Sequence, residues 1–174
     1  LADLAGGIGD PAVRHTGTIG GSIANNDPAA DYPAGLLALA ATVVTTKREI
    51  AADAFFTGLF TTALAEDEII TSVRITAPAR AAYVKFRQPA SRFALVGVFV
   101  AQGAGGARVT VTGAGDGGVF RHAGLEAAFA GNWAGPAADG VAVSSDGLMS
   151  DIHGSAAYRA NLIKVLAKRA VDAS

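Results

Sequence analysis

The densest chemical signal in the chain is Gly17-Thr18-Ile19-Gly20-Gly21-Ser22. Adjacent glycines let a backbone bend tightly and turn its N–H groups toward an anion with no Cβ in the way. The hydroxyls of Thr18 and Ser22 add donors on either side. A helical turn starting at Ser22 would contribute further amides to a phosphate. The plain alternative is an ordinary glycine-rich turn. Asn25-Asn26-Asp27-Pro28-Ala29-Ala30-Asp31 follows directly. A carboxylate here is suited to accept from ribose hydroxyls. Asp27 reads more simply as the closure of a turn before Pro28, and Asp31 as either a ligand or a helix N-cap.

Other constellations are weaker. Gly113-Ala114-Gly115-Asp116-Gly117-Gly118 matches the spacing G-x-G-x-x-G. A dinucleotide fingerprint needs a helix opening at the third glycine inside a βαβ unit. Val119-Phe120-Arg121-His122 follows instead, so the segment reads as a hairpin or bulged loop. His15, His122 and His153 are far apart and show no metal-ligand spacing, so no metal site is expected. Nothing resembles a nucleophile elbow, and no catalytic residue is assigned. Lys85, Arg87 and Arg92 lie among Tyr83, Phe86 and Phe93. They form either a face for an electron-rich ligand or the solvent side of a strand.

The elements that must position these residues can be read from patterning. A short helix is expected from about Pro33 to Ala41, capped by Asp31 and carrying Leu36, Leu37 and Leu39 inward. Thr42–Thr46 is a β-branched strand. Lys47-Arg48-Glu49 forms a hairpin tip, and Ala51–Phe56 a helical turn that buries Phe55 and Phe56. A strand over Ile69–Thr76 has Ile69, Val73 and Ile75 on one parity with Thr71. Pro78 marks an internal boundary. Strands are expected at Ala82–Arg87, Leu95–Ala101 and Arg108–Thr112, joined by short glycine-rich connectors as antiparallel hairpins. A short helix covers Gly124–Ala130. The strongest helical pattern is Ala156–Val171, with Leu162, Val165, Leu166 and Arg169 recurring near helical spacing and Arg159, Lys164 and Lys168 toward solvent.

Composition excludes several classes. The chain has 174 residues, net charge -1, and no cysteine. It therefore holds no disulfide, thiolate metal site or iron–sulfur cluster of its own. A charge near zero argues against a nucleic-acid partner, which would need a basic face. The longest uncharged runs, Tyr32–Thr46 and Phe93–Ala107, are 15 residues each. A membrane span needs about 20 apolar residues. No secretory signal is visible, and the absence of an initiator Met suggests a processed piece or a fragment.

Four segments together resemble the FAD-binding medium subunit of the molybdenum hydroxylase family, which includes aerobic carbon monoxide dehydrogenase and xanthine dehydrogenase. They are HTGTIGGSIANNDPAADYPA, DAFFTGLFTTALAEDEIITSVRI, YVKFRQPASRFALVGV and DIHGSAAYRANLIKVLAKRAV, in that order. The resemblance implies an α+β fold: the second subdomain of a vanillyl-alcohol-oxidase-type FAD-binding fold, followed by a small C-terminal domain of antiparallel sheet plus helices. It places the division at 1–78 and 79–174. FAD would meet Thr18, Ile19, Gly20, Gly21 and Ser22 at its pyrophosphate and Asp31 at its adenosine part. Ile69 or Ile70 would lie near the flavin. Lys85, or Arg87 under a small shift of alignment, would lie near the isoalloxazine ring.

The resemblance also implies partners. The [2Fe–2S] clusters would lie on a small subunit and molybdopterin on a large one, in a cytoplasmic dimer of heterotrimers. The role would be an oxidoreductase subunit passing electrons from the clusters through FAD to an acceptor, with carbon monoxide dehydrogenase medium subunit the commonest label. The family's first glycine-rich FAD loop is absent; Ala5-Gly6-Gly7-Ile8 only echoes it. The chain then corresponds to the later part of such a subunit, inactive by itself. Two alternatives follow: a packing domain that holds no FAD alone, and a single-chain flavin oxidase of the same fold superfamily.

Overall fold

The computed structural model describes residues 1–174. Four short helices come first: α1 (Ala2–Gly6), α2 (Pro11–Thr16), α3 (Ile19–Asn25) and α4 (Tyr32–Ala38). Local chemistry sets their starts. Asp10 caps α2 by accepting the Ala12 amide at 2.7 Å, with Pro11 in the first turn. Thr18 caps α3 by accepting the Gly21 amide at 2.9 Å. Asn26 ends α3 in the left-handed region, φ 47°. Its side-chain amide donates to the carbonyls of Gly58 and Thr61, fastening α3 to the hairpin beyond.

A small sheet then forms in the order β2-β1-β5, from β1 (Thr42–Thr45), β2 (Glu49–Ala51) and β5 (Ile70–Arg74). Between β2 and β5 lie α5 (Ala52–Phe55) and the hairpin of β3 (Phe56–Gly58) with β4 (Thr61–Thr62). Phe55 is fully buried, whereas Phe56 is only half-buried, because it leaves the helix as the first residue of β3. The expected alternation in β5 fails for a related reason. Val44 pairs with Ser72 but Thr45 pairs with Ile70, so Thr71 is an extra residue. The bulge turns Ile70 and Val73 to the same, inward side and leaves Ile69 and Ile75 exposed.

Past Pro78 the chain builds an antiparallel sheet in the order β6-β7-β8-β9, from Arg80–Arg87, Ala94–Gly103, Gly106–Thr112 and Phe120–Arg121. Helices α6 (Ala123–Gly131) and α7 (Ala156–Asp172) pack on one face, with a 3₁₀ turn at Gly135–Ala138 between them in sequence. Strand β7 is buried on both faces, as its long apolar run demands. Val96, Val98 and Val100 join Leu162, Ile163 and Leu166 of α7, while Phe99 and Ala101 meet Leu4, Ala34 and Ala38 on the opposite side. Helix α4 thus fills the space between the two sheets, with Leu36 and Leu37 toward the first and Ala34 and Ala38 toward the second.

Arg159 corrects the sequence reading, which had it facing solvent. It is 2% exposed. Its guanidinium donates to the carbonyls of Leu95 and Gly113, each at 2.7 Å, and to the Asp151 carboxylate at 2.7 Å. The carbonyls at the ends of β7 and β8 lack ladder partners there, and burying them unpaired would be costly. Arginine supplies a planar fork long enough to satisfy both. The glycine-rich segment between β8 and β9 is a loop without a helix. Gly113 takes φ +80°, and a Cβ there would come within 2.4 Å of the Ala94 carbonyl.

Arg159→Met leaves two buried carbonyls unpaired. It is expected to lower unfolding free energy by about 3 kcal/mol in urea titration, while exposed Arg169→Gln stays within about 0.5 kcal/mol. Buried Glu68 yields a pH signature. Hydrogen bonds from Arg48, Thr45 and the Ala65 amide hold its carboxyl down at about 2, against an ordinary 4.5. A depressed folded-state value stabilises above the unfolded value and is lost as pH falls. The advantage of wild type over Glu68→Gln in urea midpoint should therefore be full above pH 4.5 and vanish on descent to about 2.

Candidate functional site

Helix α3 begins three residues earlier than the glycine pair suggested. Ile19, Gly20, Gly21 and Ser22 are all helical, so the paired glycines make a first turn rather than a bend. The Gly21 amide is taken by Thr18 Oγ1 and the Ser22 amide by the Thr18 carbonyl, at 3.0 Å. Those two amides are therefore not available to an anion. The cause is the Thr18 cap, which closes the turn locally.

The helix instead presents a face. Thr18, Gly21, Ser22 and Asn25 recur at i, i+3, i+4 and i+7. All four line a cleft of about 660 Å³, with Asp27, Ala30 and Asp31 from the following loop. The other side of α3 packs inward. Ile23 is fully buried, and Gly20 sits over Ile70 of β5. Ile19 packs against the same core. Of the residues singled out in the sequence, Thr18, Gly21, Ser22 and Asp31 thus share the cleft. Ile19, Gly20 and Ile70 lie behind it, Ile69 is 68% exposed beyond the end of β5, and Lys85 lies beneath the floor.

Asp31 does not cap α4. Its carboxylate makes no bond to a helix amide. It is drawn instead to β6, where Lys85 Nζ donates to both oxygens, at 2.8 and 3.1 Å. The pair is nearly sealed, with side-chain exposures of 4% for Lys85 and 2% for Asp31. The Tyr83 hydroxyl donates to the same carboxylate. Burial and the neighbouring Asp31 charge push the Tyr83 phenol well above its ordinary value, so it remains a donor. Gly97 makes this reach possible: a Cβ there would come within 2.3 Å of the Tyr83 hydroxyl. The loop is stitched to β8 as well. Thr112 donates its hydroxyl to the carbonyls of Pro28 and Ala30, at 3.0 and 2.7 Å. Thr110 donates to the Ala34 carbonyl at 2.7 Å. Asp27 closes its own turn by accepting the Ala29 amide at 2.8 Å.

Sequence reasoning named Asn25 and Phe93 only within longer polar and cationic segments, and missed Arg14 and the wall formed by Ala5, Gly6, Ile8 and Val13. The helical spacing from Thr18 would have found Asn25 had the helix start been placed correctly. Phe93 comes from the β6–β7 turn, in the segment read either as a face for an electron-rich ligand or as the solvent side of a strand. Chemically the cleft combines neutral donors, one guanidinium and two carboxylates with an apolar end. The Ser22 hydroxyl and the Asn25 amide make no bond within the chain, and the Thr18 hydroxyl proton is uncommitted. Gly21 keeps the wall between Thr18 and Ser22 free of a side chain. This donor set suits a phosphate-bearing nucleotide, and the volume is in the usual range for such sites. The histidines stand apart: His122 caps α6 by accepting the Leu125 amide. No group of three histidine, aspartate or glutamate side chains is arranged to hold a metal.

Residues 1–78 match the family described as the FAD binding domain in molybdopterin dehydrogenase. The chain is 35% identical over 177 residues to the nicotine 6-hydroxylase medium subunit of Paenarthrobacter nicotinovorans, covering 94% of this chain and 62% of that protein. It is 32% identical over 190 residues to the carbon monoxide dehydrogenase medium chain of Hydrogenophaga pseudoflava, covering 100% and 66%. The solved carbon monoxide dehydrogenase from Hydrogenophaga pseudoflava that lacks the Mo-pyranopterin moiety superposes with a TM-score of 0.83 at 31% identity, over 99% of this chain and 65% of that one. The chain thus spans less than two thirds, or just under it, of the relatives it matches.

The ion pair beneath the cleft makes a prediction. Lys85→Met strands a buried carboxylate and should cost about 3–5 kcal/mol, whereas Asp31→Asn with Lys85→Met should recover most of that loss. A double-mutant cycle by chemical denaturation reads the coupling; additive losses would show that the pair is not the tie between loop and sheet.

Proposed function

The chain belongs to the FAD-binding medium subunits of the molybdenum hydroxylase family, and from this we propose that it holds part of an FAD and relays electrons as one subunit of an oxidoreductase complex. The observation that carries the reading is the α3 face of Thr18, Gly21, Ser22 and Asn25 opening onto the 660 Å³ cleft. FAD, when bound, supplies reversible redox chemistry that no side chain of this protein offers. The chain's own residues bind and orient. The Thr18 and Ser22 hydroxyls and the Asn25 amide donate to diphosphate oxygens. Asp31, held by Lys85 and Tyr83 with its carboxylate nearly sealed, forms the wall of the cleft at the adenosine part. Lys85 acts through Asp31.

Within this reading, electrons arrive from [2Fe–2S] clusters on a small subunit, a large subunit carries molybdopterin, and the assembly is a cytoplasmic dimer of heterotrimers. Residues 1–78 complete the FAD-binding part and 79–174 form a second domain, with exposed Ile69, rather than inward-turned Ile70, toward the flavin end. The relatives named "medium subunit" and "medium chain" support a multi-subunit setting. A second reading has residues 1–174 packing against partner subunits without holding FAD alone; the 62–66% span of the relatives favours it.

The full-length gene product purified with its partners should carry one flavin per copy, seen by visible absorption. Gly21→Val, which places a branched side chain in the wall, should weaken FAD binding about tenfold or more. A complex without flavin absorption would contradict the proposal. Fluorescence titration of FAD into residues 1–174 separates the second reading, which expects no saturable quenching.

A further inference from the structure

Resting on the FAD reading above, we propose that Thr112 of β8 is a positioning residue of the cleft, acting on the bound dinucleotide through the loop 27–31. Thr112 is fully buried and does not reach the cleft itself. Its hydroxyl lies between two carbonyls of that loop, Pro28 at 3.0 Å and Ala30 at 2.7 Å. A hydroxyl carries one proton, so the two acceptors share it. The Gly113 amide, the next donor along the chain, completes Pro28 at 2.8 Å. Asp27, Ala29, Ala30 and Asp31 line the cleft, so whatever fixes their backbone fixes one of its walls.

The sheet aims this hydroxyl at the loop. Lys85, Gly97 and Thr112 stand opposite one another on β6, β7 and β8, in one row across the sheet. Both polar members of the row serve the loop. Lys85 bonds Asp31, and Thr112 bonds Pro28 and Ala30. Gly97 between them carries no side chain, and a Cβ there would come within 2.9 Å of the Thr112 methyl carbon. Inside the loop, the Ala30 amide donates to the Asp27 carbonyl at 3.0 Å and the Ala29 amide to the Asp27 carboxylate at 2.8 Å. Those bonds close the turn on itself and do not fasten it to the sheet. The carbonyls of Pro28 and Ala30 fasten it, and β8 supplies their donors. Behind Thr112, the Arg159 guanidinium holds the Gly113 carbonyl at 2.7 Å and so anchors the end of β8. A loop already held in place need not be ordered when a ligand arrives, so less of the binding free energy is lost. Valine has the shape of threonine but no hydroxyl, and it would leave both carbonyls to seek water away from the sheet.

The test uses the full-length gene product in its complex, stripped of flavin and titrated with FAD, with ADP and with FMN, following fluorescence for the flavins and competition for ADP. Thr112→Val should raise the FAD dissociation constant about tenfold. Thr112→Ser, which restores the hydroxyl, should return it to within about threefold of wild type. Thr112→Cys, whose thiol is a weak donor, should fall between the two and carries the reading should Thr112→Val fail to assemble. Val171→Ala, a buried change near the end of α7, is the control for lost stability and should leave FAD binding within about twofold. A loss on ADP that spares FMN assigns the loop to the adenosine half, and the reverse assigns it to the flavin half; either supports the proposal. Equal losses on ADP and FMN overturn it, because a general loosening has no such selectivity. It is also overturned by Thr112→Val binding FAD within about twofold of wild type, by Thr112→Ser losing as much as Thr112→Val, or by an equal loss in Val171→Ala. A wild-type complex that takes up no flavin removes the FAD reading itself, a result separate from any behaviour of the variants.

Discussion

Lys85 and Asp31 lie 54 residues apart and meet where neither touches bulk water. Burying two charges costs several kcal/mol per ion unless geometry and further hydrogen bonds compensate. Here the ammonium spans both carboxylate oxygens and Tyr83 adds a third hydrogen bond. Around this pair, the Thr110 hydroxyl serves the Ala34 carbonyl, the Thr112 hydroxyl is shared between the carbonyls of Pro28 and Ala30, and the Gly113 amide completes Pro28. Together they form a polar seam between the loop that precedes α4 and the four-stranded sheet. The seam permits essentially one docking of α4, because a slip of one residue would leave a buried charge or several carbonyls unpaired. With α4 fixed, α3 and the floor of the cleft are fixed too.

The cleft then follows from the way α3 is held. Its inner face is anchored by Ile23 and by Gly20 over Ile70, and its end by Asn26 bonding across to Gly58 and Thr61. Its outer face consists of small and hydroxyl-bearing residues with bonding capacity left over. In the proposed reading the donors to a diphosphate are hydroxyls and a side-chain amide on a helical face, the Gly21 and Ser22 backbone amides being taken by Thr18. The distinction matters chemically. Hydroxyl donors can rotate to follow an oxygen, whereas the amides of Gly21 and Ser22 are already committed.

Much of this was legible in the chain. The two-sided apolar run of β7, the β-branched β1, the amphipathic stripe of α7 and the turn residues around Asp27 follow from pattern and local propensity. The parts that were not legible depend on partners distant in sequence. Arg159 has the spacing of a solvent residue, and only the unpaired carbonyls of Leu95 and Gly113, 64 and 46 residues away, draw it inward. The bulge at Thr71 overrides strand alternation because β1 sets the pairing. Asp31 looks like a cap until the sheet brings Lys85 beneath it. In the site, the residue types around Thr18 were readable, while the start of the helix was not.

An experimental structure of the flavin-loaded complex tests the central claim most directly. The account predicts diphosphate oxygens within hydrogen-bonding distance of the Thr18 and Ser22 hydroxyls, with Lys85 still bonded to Asp31 beneath them. A flavin nucleotide bound away from the α3 face, or Lys85 released from Asp31 to bond the flavin, would contradict it.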